Sequence, residues 1–331
     1  MTTVFALCIP FIDISIKLPN LVNQLGLAPN EMTLYHTLSS EAQAQLLIYL
    51  NDQENTTVSY GGMLYNTCME ISKSTDGVNA VFIGPFSTQP ISNQVFYKAL
   101  AGRIDRLTVR ATTLDTEPGI CFVIPNGQNR AFVTKPSPCM IVDKQMTETL
   151  FLNLARQAEQ EKASIVYIAG YTVESSESLQ EVVRRKKTGT LPATLCFNLS
   201  DPGVLIRSYQ KVKPFIKHSD WIIGNKDEFT ELYHQITGIY PSSTKELYAC
   251  IQKETQNAVI TCGPHSVAAL YKSEQGECIS IVKPPKVNAK NTTGAGDVFA
   301  AVLLSGIARH RDIEEILHQA VERTTDFLKG I

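Results

Sequence analysis

The sequence predicts an α/β fold: a doubly wound, mainly parallel sheet flanked by helices, with a smaller α+β lid. Three observations carry this. Short apolar runs recur, at Val4-Phe5-Ala6-Leu7-Cys8-Ile9, 78–84, 165–170, 194–199, 221–224 and 258–263, as strands buried on both faces would read. Helical stretches fall between the later runs, at about 140–162, 175–187, 204–217, 227–236 and 243–255, and strands alternating with helices make a parallel sheet. Residues 107–134 differ: short β-prone runs flank Pro125-Asn126-Gly127, and the Asn-Gly pair predicts a hairpin. An antiparallel insertion in an α/β chain reads as a second, smaller layer.

Taken in order, the first run ends at Pro10 and delivers Asp13 just past its carboxyl end, where open α/β sheets bind ligands. A carboxylate there suits sugar hydroxyls; an ordinary loop acid is the alternative. Residues 18–50 hold two expected helices around Leu25-Gly26-Leu27-Ala28-Pro29-Asn30. Tyr60-Gly61-Gly62 then precedes a helix with Asn66 one turn in, a place where backbone can approach a ligand beside an amide, or a hinge. A helix is expected over Val95 to Ile104, and a last one, from Ile313 to Leu328, closes the large layer. The boundaries read as about 1–14, 59–107 and 137–331 for the large layer, and 15–58 with 108–136 for the lid.

Composition narrows the function classes. The 331 residues are 44% hydrophobic and 19% charged with a formal net charge of −2, enough for a full core and no argument for nucleic acid or an anionic membrane. No apolar run reaches the length of a membrane span, and Met1 to Ile14 lacks a basic leader and carries Asp13. The eight cysteines form no Cys-x-x-Cys pair and most have apolar neighbours, which reads as buried thiols in a reducing cytoplasm, without a disulfide frame or a zinc site.

The stretch that carries chemistry is Asn291-Thr292-Thr293-Gly294-Ala295-Gly296-Asp297 before the apolar run Val298 to Leu304. A tight glycine turn opening into a buried helix points backbone N–H groups into one concavity, and the helix N-terminus adds partial positive charge. An anion cradle beside an ionised acid is what phosphoryl transfer to a hydroxyl needs: the cradle stabilises the moving group, and the acid orients the hydroxyl and takes its proton. A glycine-rich cap on a core helix is the plainer reading. Asn225 and Glu228, three apart where a helix begins, suit a magnesium ion through its waters, or a helix cap. Other phosphate and kinase motifs fail. There is no Gly-Lys dipeptide and no G-x-G-x-x-G, and His310-Arg311-Asp312 lacks the downstream residues of a protein-kinase loop, so it reads as the charged start of a helix.

Together these residues resemble the ribokinase-like carbohydrate and nucleoside kinases, the PfkB family, and within it the adenosine kinase group. Asn291 to Asp297 resembles the C-terminal signature, Gly61-Gly62 to Asn66 the di-glycine motif, and Asn225 to Glu228 the N-x-x-E motif, over essentially the whole chain. Ile9-Pro10-Phe11-Ile12-Asp13-Ile14 and Tyr167-Ile168-Ala169-Gly170-Tyr171 resemble adenosine kinase segments. The resemblance implies ATP-dependent phosphorylation of a nucleoside ribose 5′-hydroxyl, adenosine first. Asp297 is then the base, and the amides of Gly294, Ala295 and Gly296 form the anion hole. Asp13, Gly61, Gly62 and Asn66 hold the ribose. Tyr171, with Phe11, Leu34 and Phe132, faces the base, and Arg130 closes over the phosphate. Asn225 and Glu228 organise Mg²⁺ and ATP, with Thr261 and Gly263 along the nucleotide, in a monomer or homodimer.

Three departures accompany the match. Asn291 replaces the signature's leading Asp, which in some members helps hold a monovalent cation, so that requirement stays open. Ile9 and Met32 replace polar residues near the nucleoside, and buried polar groups discriminate strongly between close substrates. A sugar kinase of the ribokinase or fructokinase type, and a catalytically silent nucleoside-binding paralogue, are the rival expectations.

Overall fold

The computed structural model describes residues 2–18, 20–28, 32–74, 77–91, 106–126, 129–137, 140–274, 276–287, 289 and 292–330. The first elements are β1 (Thr3–Leu7), β2 (Phe11–Ile16), α1 (Leu21–Gln24), β3 (Met32–Leu34), α2 (Ser40–Ile48), β4 (Thr56–Gly61) and α3 (Met63–Lys73). Then come β5 (Asn79–Ser87), β6 (Leu107–Leu114), β7 (Gly119–Asn126), β8 (Asn129–Lys135), α4 (Lys144–Glu159), β9 (Ser164–Ala169), α5 (Gly170–Ser175) and α6 (Gln180–Lys187). The remainder is β10 (Thr194–Asn198), α7 (Pro202–His218), β11 (Trp221–Asn225), α8 (Lys226–Thr237), α9 (Thr244–Glu254), β12 (Ala258–Thr261), β13 (Val267–Ser273), β14 (Gly276–Val282), α10 (Ala295–Ala308) and α11 (Ile313–Lys329). Asp312, from the kinase-loop lookalike, is the N-cap of α11 and accepts from the N–H groups of Glu314 and Glu315.

Nine strands form the large sheet in the order β14-β13-β12-β11-β10-β9-β1-β5-β6. It is parallel from β12 to β6, and β13 and β14 add an antiparallel hairpin at one edge. The central strands are mostly apolar because both faces are covered. In β1, Val4 and Ala6 enter the core shared with α3, α10 and α11, while Phe5 and Leu7 enter the core shared with α4 and α6 to α9. The chain leaves β1 toward β5 on one side and returns to β9 on the other, so a topological switch point lies between β1 and β9.

The second sheet has five strands, β3-β8-β7-β2-β4. The hairpin expected at Pro125-Asn126-Gly127 is present as β7 and β8, with Asn126 opposite Asn129. One face of this sheet, built from Ile12, Ile14, Ile16, Ile120, Phe122, Ile124, Ala131 and Val133, is buried against Leu21, Val22 and Leu46 of α1 and α2.

Several expectations are corrected. Residues 108–114 do not join the smaller layer; as β6 they pair in parallel with β5 and end the large sheet. Their exposed alternation is that of an edge strand, which reads like an antiparallel insertion in sequence. Phe11–Ile14 and Ser59–Gly61, expected in the large layer, lie in the small sheet, so Asp13 sits within a strand rather than in a loop. Of the two helices expected over 18–50, α1 has only four residues, and β3 and a 3₁₀ turn at Tyr35–Thr37 precede α2. The β13–β14 hairpin was not anticipated. The helix expected over 95–104 and the residue Asn291 lie outside the described residues.

Helix α10 is apolar nearly all round because it is packed between α3, α11 and the sheet. Its contact with α11 needs Gly306: a Cβ there would stand 2.5 Å from Ile316 Cγ1. Gly306→Ala is therefore expected to cost about 1–3 kcal/mol through overpacking, read as a lowered thermal midpoint. An unchanged midpoint would show that the two helices can separate freely.

Candidate active site

Strand β1 stops before Pro10, and β2 then runs Phe-Ile-Asp-Ile-Ser-Ile with strict alternation of half-buried and buried positions. Ile12, Ile14 and Ile16 face the small sheet's own core, which turns Phe11, Asp13 and Ser15 to the opposite face. Register carries the neighbours onto that face: Asp13 pairs with Ser59 and Cys121, Cys121 with Thr134, and Thr134 with Leu34. Met32, Phe132 and Arg130 fall on it too, since Met32 pairs with Phe132 and Arg130 lies two residues before Phe132.

The di-glycine has two separate causes. A Cβ on Gly61 would stand 2.0 Å from Asp13 Oδ2, so the Asp13 carboxylate occupies the space a side chain would need. Gly62 is the N-cap of α3 with φ of 105°, a backbone conformation that favours glycine, beside the carbonyl of Ile9.

Asn66, one turn into α3, meets Asp297 at the start of α10: its Nδ2 donates to Asp297 Oδ2 at 3.0 Å. Asn66 was expected at the acceptor hydroxyls; in the structure it holds the acid. The turn before Asp297 is as read from the sequence. Gly294 is the N-cap in the left-handed region, φ 82°, and no side chain caps the helix. Ala295 N–H is bonded to the carbonyl of Thr292 at 3.2 Å, while Gly296 is exposed, and a Cβ on it would meet nothing within 4 Å. First-turn amides have no acceptor within their own helix, so an uncapped, open N-terminus presents donors and partial positive charge to an anion.

Asp13, Asn66, Gly294 and Asp297 line one cavity of about 520 Å³. Burial pushes the Asp297 carboxyl up to about 7; the Asn66 amide opposes the rise, and Asp13 and Glu70 add to it. Burial likewise pushes Asp13 up to about 7. Each is half-buried, reachable from the cavity yet enclosed by protein on most sides. The sequence reading missed other lining residues, Tyr65, Glu70, Lys73, Thr293 and Phe327 among them. Glu70 and Lys73 were legible as positions four and seven beyond Asn66 on the same helical face; Phe327, near the end of α11, had no local signal.

Not every expected residue comes to this cavity. Asn225, Thr261 and Gly263 line a separate hollow of about 410 Å³ with Asp227 and His265. Glu228 does not open into it. Asn225 N–H and Nδ2 both donate to the Glu228 carboxylate, at 2.9 and 2.6 Å, and Glu228 N–H donates back to Asn225 Oδ1, which is a capping box. The cap reading of this pair is thus the one the structure shows. Burial pushes Glu228 up to about 7, with Asp201 and Asp227 adding to the rise after the opposing Asn225 N–H. Among the described residues no group of three or more His, Cys, Asp or Glu could hold a metal ion. Tyr171 does not line the cavity either; it packs half-buried on the opposite core, its phenol raised well above the usual value by burial and by Asp201 and Glu228. Arg130 is half-buried, and burial holds its guanidinium below the usual value.

Residues 39–322 match the pattern of the pfkB family of carbohydrate kinases. The chain belongs to this family. Among its relatives, adenosine kinase 2 of Arabidopsis thaliana is 27% identical over 165 residues, covering 47% of this chain and 46% of that protein. A 5-dehydro-2-deoxygluconokinase of Bacillus licheniformis is 29% identical over 101 residues, 30% of this chain and 29% of that protein. The matched segments thus span less than half the length of either. Among solved structures, adenosine kinase from Schistosoma mansoni in complex with 2-fluoroadenosine superposes with a TM-score of 0.81 at 18% identity, covering 98% of this chain and 94% of that one. A probable sugar kinase from Rhizobium etli gives 0.79 at 16%, covering 98% and 92%. At these identities the likeness to solved structures is one of fold. The pfkB match covers both the di-glycine and the uncapped turn before Asp297, so the motifs lie inside the matched region. No helix among the described residues is long and apolar enough to cross a membrane.

Proposed function

We propose that this pfkB-family chain transfers the γ-phosphoryl group of ATP to the ribose 5′-hydroxyl of a purine nucleoside, adenosine being the first candidate. One observation carries the reading: Asp13, Asn66 and Asp297 converge in a single cavity directly under the uncapped N-terminus of α10. Asp13 receives ribose hydroxyls on the face of the small sheet. Asp297, oriented by Asn66, receives the 5′-hydroxyl and accepts its proton. The N–H groups at Gly294 and Gly296 take the oxygens of the transferring phosphoryl group, while that of Ala295 is held by the Thr292 carbonyl and braces the turn; positioning and charge neutralisation matter more here than a strong base. The small sheet acts as the lid, with Arg130 and the aromatic residues on its inner face, and closure excludes water.

ATP fits the residues present, because the left-handed turn at Gly294 and the open space at Gly296 leave room for oxygens. Magnesium would come with the phosphates, neutralising their charge; Asp227, which lines the second hollow and is not part of the Asn225–Glu228 cap, would hold it through waters. Seven described cysteines are free thiols, consistent with a reducing, cytoplasmic setting.

The position of Tyr171 outside the cavity favours a second reading, a sugar kinase with the same base and cradle that does not use Tyr171 as a platform for a nucleobase. Release of ADP, measured with adenosine, other nucleosides, ribose and fructose as acceptors, separates the two. Turnover of sugars without adenosine would overturn the nucleoside assignment, and no turnover of any acceptor would overturn the kinase reading.

The base also sets a pH dependence. A carboxyl raised to about 7 is ionised only above that pH, so kcat/KM is expected to rise through pH 7 and to fall as pH drops below it. Asn66 donates to the ionised form, so Asn66→Ala should move this limb upward by about 1–2 pH units. A limb left in place in the variant would remove Asn66 as the group that holds the base.

A further inference from the structure

The cavity that receives the acceptor has a charge pattern that the transfer chemistry does not use. On α3, Asn66, Glu70 and Lys73 follow at helical spacing and share one face, and all three line the cavity. Asn66 is accounted for by Asp297. Glu70 and Lys73 form an ion pair, Nζ to Oε1 at 2.5 Å, in which the Glu70 side chain is largely buried, 17% exposed, and the Lys73 side chain is 56% exposed. Among the described residues lining the cavity, Lys73 is the only cation, set against the carboxyls of Asp13, Glu70 and Asp297. Its charge is already committed to Glu70. The adjoining groove of about 420 Å³ shares Glu70 and Lys73 and adds Glu322, Arg323 and Asp326 from α11, two acids to one base, so it does not reverse the sign.

We infer that this cavity is selective for uncharged acceptors, and that Glu70, held in place by Lys73, is a specificity determinant that rejects anionic ones. The inference rests on the kinase reading of the same site and deepens it. Above pH 7, where Asp13 and Asp297 are ionised, an acceptor bearing its own phosphate or carboxylate meets three acidic groups and no uncommitted lysine, and like charges brought together in a partly desolvated space are strongly disfavoured. Its charge also acts on the base. Asp297 already sits at about 7, with Asp13 and Glu70 contributing to the rise, and a further negative charge beside it would leave less of the ionised form that accepts the proton.

The test compares acceptors that differ in charge and keep the reacting hydroxyl: adenosine, 3′-O-methyladenosine and adenosine 3′-monophosphate, with fructose and gluconate as a sugar pair, each assayed by ADP release with ATP and magnesium. The neutral acceptors are expected to exceed their anionic partners in kcat/KM by about a hundredfold or more, and 0.5 M salt should shrink that ratio several-fold by screening. Glu70→Gln keeps the shape and releases the Lys73 ammonium, so it should lower the ratio of neutral to anionic acceptor by about tenfold. Lys73→Met leaves Glu70 unopposed and should widen the ratio.

Anionic acceptors turned over within threefold of neutral ones would overturn the inference and leave the kinase reading intact. A ratio that neither variant alters would overturn the role given to Glu70, and equal rejection of 3′-O-methyladenosine would show that size, not charge, is sensed. Absence of ADP release with every acceptor would overturn the kinase reading and this inference with it.

Discussion

Asp297→Asn is expected to bind nucleoside with unchanged affinity and to lose turnover by about three to four orders of magnitude, near the upper end of what a positioned general base contributes. The substitution preserves shape and leaves the glycine turn, the N-terminus of α10 and the neighbouring Asn66 amide where they are. It removes only the group that can accept the hydroxyl proton. The same change should raise the thermal midpoint above pH 7. A carboxyl lifted from 3.8 to about 7 stabilises the fold fully below its unfolded value, and that contribution is lost as pH rises through 7. At pH 8 the wild type therefore buries an unfavourable charge that the amide lacks. Calorimetric titration with adenosine, rapid-quench measurement of ADP and thermal denaturation at pH 8 check the three parts. Comparable turnover in the variant would remove Asp297 as the base.

Gly61→Ala is expected to raise the acceptor KM by about a hundredfold or more. The Cβ would fall 2.0 Å from Asp13 Oδ2 and 2.4 Å from its Cγ, a distance no relaxation of the carboxylate in place can absorb. Backbone movement is opposed from both sides, because β2 is hydrogen-bonded to β4 along one edge and to β7 along the other. The Asp13 side chain must therefore turn away from the cavity, and a group that anchors hydroxyls by charge-assisted hydrogen bonds is lost. Asp13→Ala should show a similar loss, and the double variant no further one, since both changes act on one carboxylate. Additive losses would mean that Gly61 serves the acceptor by some route other than Asp13.

The turn before Asp297 was legible in local sequence because it depends on local geometry. Thr293 to Asp297 needs only a left-handed glycine and a helix start to set an uncapped helix N-terminus beside an acid, and Gly294 adopts that conformation. The central strands were legible for a similar reason: a parallel strand covered on both faces must be apolar along its length, as 165–170 and 194–199 are. The alternation of Phe11 to Ile16 was equally visible and marks a strand with one covered face, but the proline before it drew the reading to a loop. For Asn225 and Glu228 the residues fit two uses, a cap or an ion site, and only the direction of the Glu228 carboxylate separates them.

By itself, then, the chain's order of residues determined an α/β architecture, a left-handed glycine turn at a helix start and the acid beside it, since each follows from backbone conformation and burial over a few neighbouring positions. Only the tertiary structure decided that Asp13 of the small sheet shares a cavity with Asp297 of α10, that Asn66 spends its amide on Asp297, and that Glu70 and Lys73 charge the same cavity. Those facts depend on how β2, α3 and α10 are brought together across long separations in sequence, 231 residues in the case of Asn66 and Asp297. Electrostatics and packing act through space, and proximity of that kind leaves no mark on any single stretch of sequence.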